Sequence, residues 1–234
     1  MAHGSRDPRA AATVEALLAR VRPHVPVRTA YLDHATPTLA QALHGLREAV
    51  VLPLLLTEAY HSRVDLPAAL NEARARDPRL TVHYGSTLGP HPLLLSALER
   101  RLTEAGVRRG DPDTAVVLVS AGSSDARANQ VVAGMARDWS AAGWWAAVPA
   151  YASAAGPSPA EAVARLRAAG APRVAVAPYL LAPGHFADKV TRESGADVVA
   201  DVLGPAPELA TVVLERYAGA LAVQLTGAGL PRAG

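Results

Sequence analysis

Four stretches of this chain occur twice, in the same order. "AHGSRDPRA" at 2–10 has a counterpart in "SAGSSDARA" at 120–128, and "AYLDHATPTLAQAL" at 30–43 in "AYASAAGPSPAEAV" at 150–163. "VVLPLLLTEAYH" at 50–61 matches "VAVAPYLLAPGH" at 174–185, and "LGPHPLLLSALERRL" at 88–102 matches "LGPAPELATVVLERY" at 203–217. One such match could be chance, but four in register mean a duplication, which restricts the chain to two similar units. The seam falls in "RRGDPD" at 108–113, separating an N-terminal domain over 1–110 from a C-terminal repeat over 111–234. Halves of this size can each bury a core.

Within each half, short β-branched runs alternate with longer amphipathic ones. "VRTAYL", "AVVLPLLL" and "LTVHYG" read as strands of the first half, with helical periodicity over 9–22, 37–47, 65–76 and 91–106. The second half offers "TAVVLVS", "WWAAVPAY", "RVAVAPYLL" and "ADVVADV" as strands. Continuous apolar strands separated by helices predict an α/β fold of two tandem similar domains, each a parallel sheet with helices on both faces. A ligand crevice is then expected at the carboxyl ends of the strands. The halves differ at one place. "DTAVVLVS" precedes the "AGSSD" loop of the second half, whereas only Met1 and Ala2 precede "HGSRD" in the first. The first strand of the N-terminal half is missing by this comparison, which would leave sheet backbone groups without partners.

Composition narrows the chemistry. Half of the residues are hydrophobic and 19% charged, a globular balance, and a net charge of +2 does not suggest a nucleic-acid surface. No apolar run reaches the roughly 18 residues of a membrane span, and no basic-then-apolar leader opens the chain, so a cytoplasmic protein with no membrane partner is expected. Without cysteine there is no disulfide, thiolate metal site or sulfur nucleophile. Neither a Gly-Lys-Ser/Thr phosphate loop nor a Gly-x-Gly-x-x-Gly turn is present, so no nucleotide site is expected. Lys189 is the only lysine among the 23 basic residues.

Three first-half loops at strand carboxyl ends carry the polar residues of interest. His3 opens the loop after the missing strand, Asp33 and His34 follow "TAYL", and His61 follows "VVLPLLL" in "TEAYHSRVDLP". Two imidazoles and a carboxylate without sulfur suit a borderline divalent ion such as iron, cobalt, nickel or zinc. Neutral imidazole also serves as a base near neutral pH. The "HGSRDP" loop could instead hold an anion at the N-terminus of the helix that follows. His24, His44, His83 and His91 read as solvated loop residues, and Glu58 and His34 as weaker candidates of the same type as the chosen three.

"AHGSRDP" together with "PLLLTEAYHSRVDLP" resembles the sirohydrochlorin chelatases, across essentially the whole chain in the long, internally duplicated form of that family. The resemblance implies a class II chelatase fold and ATP-independent insertion of a divalent metal (Co2+ or Fe2+, with Ni2+ as a further option) into a tetrapyrrole. The metal would be a substrate, and no permanently bound cofactor is implied. Carried over by position, His3 and His61 would be the catalytic histidines, and His3, Asp33 and His61 the metal ligands. Ser5, Arg6 and Arg63 would bind the carboxylate-rimmed sirohydrochlorin. The second half departs from the motif: Ala121 stands for His3, Ser124 for Arg6 and Ser153 for Asp33, and only His185 survives. That half reads as a degenerate copy completing the cleft, so that one chain acts as a monomer with two pseudo-symmetric halves. A non-catalytic metal or tetrapyrrole carrier is the alternative reading.

Overall fold

Apolar β-branched runs decide the second half first. β3 (Thr114–Ser120), buried at every position, lies between β4 (Ala146–Tyr151) and β5 (Arg173–Pro178), parallel to both, and β6 (Val198–Val199) extends the far edge. In this computed structural model, residues 1–57 and 65–227 are described. Helices α5 (Ala126–Ser140), α6 (Pro159–Ala168) and α7 (His185–Glu193) connect these strands. α5 starts where the Asp125 side chain accepts from the Arg127 amide, and α6 where Ser158 and Glu161 form a reciprocal capping box. "ADVVADV" contributes only its central Val-Val pair to the sheet, a shorter strand than its apolar run suggests.

The first half repeats this plan with less sheet. α1 (Pro8–Val21), α2 (Leu39–Leu43) and α3 (Asp65–Arg76) accompany β1 (Glu48–Val51) and β2 (Thr81–Tyr84), which pair in parallel from Glu48↔Thr81 to Val51↔Tyr84. The helix expected over 37–47 shrinks to Leu39–Leu43, because the chain leaves helical geometry at His44 and turns at Gly45, φ +77°. "VRTAYL" is not a continuous strand: only Tyr31 is bridged, to Ala2 and to Thr38. Its neighbours are the Ala2 segment on one side and the Thr38 segment on the other, each meeting it at that one residue.

The closing helices cross between the halves. α4 (Pro92–Glu104), which ends the first half, packs on β5, while α8 (Pro207–Gly227), which ends the second, packs on α1, β1 and β2. The two helices also pack on each other, and Arg100 of α4 makes a bidentate pair with Glu208 of α8 at 3.0 Å through both nitrogens. The arrangement is reciprocal in detail. Arg101 donates to the Leu203 carbonyl ahead of α8 at 2.9 Å, and its repeat equivalent Arg216 donates to Leu88 and Pro90 ahead of α4 at 3.1 and 3.2 Å. One apolar core runs through the crossing, from Leu17 and Leu98 to Trp139 and Leu209. Two further clusters fill the outer faces of the sheets.

Two histidines expected in solvent are not there. His83 is buried on β2 with Nε2 2.9 Å from Glu48 Oε1. His91 caps α4, its Nδ1 accepting from the Leu93 amide, and its Nε2 lies 2.9 Å from Glu215 of α8. β2 buries Val82 and His83 on its two faces, and the helix start recruits His91; an isolated His in sequence shows neither. His24 and His44 are exposed as expected.

Met1 is seated inside the first half. Its amine donates to the Leu52 carbonyl at 2.6 Å, and its own carbonyl accepts from Leu54 at 2.7 Å.

Candidate functional site

His3 is positioned by backbone pairing rather than by a long strand. The Ala2 amide donates to Ala30 at 2.9 Å, Leu32 donates to Ala2 at 3.0 Å, and Asp33 donates to His3 at 2.9 Å. This ladder brings His3 and Asp33 to the same end of the sheet. Gly4 then turns the chain at φ +97°, so close to the Asp33 segment that a Cβ would stand 1.7 Å from the Asp33 carbonyl oxygen. Only glycine fits there, on both conformational and steric grounds. Ser5 accepts from the Asp7 amide at 3.1 Å, and Asp7 caps α1 by accepting from the Arg9 amide at 2.9 Å. Every residue of "HGSRDP" outside His3 and Arg6 thus has a local reason to be present.

The same frame recurs in the second half. Ser153 donates its amide to Ala121 at 2.9 Å, Gly122 turns at φ +86° with its missing Cβ 1.9 Å from the Ser153 carbonyl, and Ser123 accepts from Asp125 at 3.0 Å. His34 and Ala154 match as well, at φ 59° and 58°. What differs is the chemistry mounted on the frame. The Ser153 hydroxyl turns back to donate to the Ala121 carbonyl at 3.0 Å, whereas the Asp33 carboxylate is exposed.

Of the expected metal ligands, the structure brings His3 and Asp33 together along one edge of the crevice. His3 is half-buried, with Nδ1 3.3 Å from the Gly4 carbonyl. His34 pairs with Asp33: its Nε2 is 3.3 Å from Asp33 Oδ2, and its amide donates to Asp33 Oδ1 at 2.7 Å. In the sequence His34 is only a weaker candidate of the same type, and its left-handed backbone, shared by Ala154 in the other half, has no signal in the residue type. Arg6 is exposed. His61 and Arg63 lie outside the described residues, as does Glu58. Among the described residues no group of three His, Cys, Asp or Glu side chains converges as a metal site. The segment leading to residue 58 is held from the other half, where the buried Tyr179 hydroxyl donates to the Leu56 carbonyl at 2.9 Å.

An exposed ion pair joins the two halves near this edge. Arg9, at the start of α1, reaches Asp7 and Asp188 of α7, each at 2.6 Å. The guanidinium holds both carboxyls below the usual carboxylate range, through its hydrogen bonds to them. This inter-half contact had no signal in the sequence. His185 is the first residue of α7, exposed, with its ring tilted 60° to that of Phe186 at 5.6 Å between centroids. Lys189, the lone lysine, donates to the Ala152 carbonyl at 3.2 Å beside Ser153.

The sequence model of the CbiX family matches this chain twice, over residues 1–105 and 115–220. The chain belongs to the CbiX family. It is similar to a sirohydrochlorin cobaltochelatase of Priestia megaterium, 29% identical over 233 residues, covering 92% of this chain and 76% of that protein. A sirohydrochlorin ferrochelatase of Bacillus subtilis is 28% identical over 200 residues, covering 82% and 76%. Among solved structures, SirB from Bacillus subtilis with Fe3+ superposes with a TM-score of 0.73 at 25% identity, covering 94% of this chain and 92% of that one. SirB from Bacillus subtilis subspecies spizizenii in complex with cobalt gives 0.74 at 21% identity, with the same coverage, a likeness of fold. Both halves of this chain are therefore CbiX units. Among its described residues no helix is long and apolar enough to cross a membrane.

The duplicated frame separates stability from function. Gly4→Ala and Gly122→Ala should each cost about 2 kcal/mol or more, from left-handed strain together with the carbonyl clash. Only Gly4→Ala should also disturb the His3–Asp33 edge. Denaturant melts and metal-insertion rates on the two variants check this. Equal activity losses at equal stability would mean that the crevice edges are equivalent.

Proposed function

We propose that this CbiX protein is a sirohydrochlorin chelatase that inserts Co2+ or Fe2+ into the macrocycle without nucleotide. The observation that carries the reading is the ladder placing His3 beside Asp33 at the sheet's carboxyl end, on a chain whose relatives are sirohydrochlorin chelatases. Insertion needs a partly dehydrated ion delivered to the ring nitrogens while pyrrole protons leave. A carboxylate and neutral imidazoles can hold such an ion weakly enough to release it. An imidazole is also the side chain suited to accept a proton near neutral pH. In this reading His3 and His61 share those tasks, Asp33 is a metal ligand and His34 steadies its carboxylate. Arg6 and Arg63 meet the substrate's carboxylates, with Ser5 holding the loop that presents Arg6. Arg9 is already committed to Asp7 and Asp188, so it tethers the halves rather than the substrate.

Both halves of the crevice belong to one chain, which supports action as a monomer. The second half supplies walls: Ala121 and Ser153 offer no ligand, and His185 stands alone. His3→Ala and His61→Ala should each lower the insertion rate at least 10²-fold at saturating metal, whereas His185→Ala should keep most of it. Asp33→Asn should raise the metal concentration needed more than it weakens tetrapyrrole binding. Rates with purified sirohydrochlorin, followed by absorbance without ATP, decide the matter. A dead His185→Ala beside an active His3→Ala would put the active site in the wrong half. Spectral shifts without metallated product would make the chain a carrier.

A further inference from the structure

Hydrogen bonds present in both halves fix which second-half residues stand at the crevice edge. Tyr31 donates to Pro37 as Tyr151 does to Pro157, Leu32 to Ala2 as Ala152 to Ser120, and Asp33 to His3 as Ser153 to Ala121, each at 2.9 or 3.0 Å. Ala152 therefore holds the place of Leu32, and Ser153 that of Asp33. Here the halves differ in sign. The first half exposes the Asp33 carboxylate, whereas the second withdraws the Ser153 hydroxyl onto the Ala121 carbonyl and brings up an ammonium. That ammonium is Lys189 of α7, which donates to the Ala152 carbonyl at 3.2 Å.

Its charge is not neutralised by its surroundings. Asp188, next to it in α7, is held by Arg9 at 2.6 Å, and Glu193 by Arg192 at 3.0 Å. Among the described residues Lys189 pairs with no carboxylate, and its hydrogen bond to a neutral carbonyl leaves other protons to donate. The residue is half-buried, so salt screens its charge less than that of an exposed lysine. The sequence supports a change of task. Continuing the match of His61 with His185 pairs Leu66 with Val190, both apolar, and sets Lys189 where the first half has Asp65. The same match sets Ala187 where the first half has Arg63, and Ser124 stands for Arg6. Both arginines assigned to carboxylates are thus missing from the second half, and a lysine enters the motif that carried them.

We propose that Lys189 is a substrate-binding residue that holds a peripheral carboxylate of the tetrapyrrole at the second-half edge of the crevice. The proposal rests on the chelatase reading above and adds a second anchor to it. A carboxylate-rimmed ring is then gripped from both halves, by Arg6 and Arg63 on one side and Lys189 on the other. Asp33 repels that rim and is left to the metal. An ammonium suits the task because it meets a carboxylate from many angles, without the fixed fork of a guanidinium. It also leaves the metal alone, since a protonated amine has no lone pair to coordinate.

The test is the affinity of Lys189→Gln and Lys189→Arg for metal-free sirohydrochlorin and for its fully methylated ester, followed by absorbance without added metal. Gln keeps a donor for the Ala152 carbonyl but loses the charge; Arg keeps the charge. Lys189→Gln should raise Kd for the free acid about tenfold, and Lys189→Arg should stay within roughly threefold. The tenfold gap should narrow as salt is added. The ester has no carboxylates, so it should bind the unmodified chain and Lys189→Gln equally. Equal affinity of those two chains for the free acid overturns the proposal. So does an equal loss for acid and ester, which would make Lys189 only a prop for the Ala152 loop. A failure of the chelatase reading looks different: sirohydrochlorin bound through Lys189 but never metallated leaves a carrier with this residue in place. No binding by the unmodified chain overturns both.

Discussion

Everything in this molecule hangs on the exchange of closing helices. Neither half covers its own sheet completely: α8 completes the first half and α4 the second. The central apolar core is shared and cannot be divided at the seam between the repeats. The fixing contacts are reciprocal, since Arg101 and Arg216 each satisfy carbonyls at the entry of the other's helix. Carbonyls just ahead of a helix in a packed interior need a donor, and a buried unpaired one costs about 1–3 kcal/mol. A rigid crossing means that the two sets of strand carboxyl ends hold one spacing, so the crevice between them has a defined width. Arg9 then closes the tie at the rim, where an exposed ion pair contributes little energy but sets a position.

The duplication also explains why loop geometry and loop chemistry have different histories. Glycine at 4 and 122, serine at 5 and 123, and aspartate at 7 and 125 answer to backbone demands that both halves share. Those demands come from the close approach of two peptide planes. They persist whatever the crevice binds. Residues 3, 33 and 6 are not kept in the second half, where their counterparts are alanine, serine and serine. The asymmetry between halves therefore marks function more sharply than either half alone.

Much of this was legible in the sequence. The repeats, the parallel sheets and the crevice follow from apolar runs at constant spacing, and the His3–Asp33 edge follows from loops at strand ends. What was hidden has identifiable causes. The exchange of α4 and α8 has no local signature, because an amphipathic helix reads alike whichever sheet it covers. Arg9 and Asp188 lie 179 positions apart and meet only through that exchange. His34 contacts Asp33 through a backbone conformation that its residue type does not announce. His83 and His91 looked like surface residues because their partners, Glu48 and Glu215, are remote in the chain or on another element.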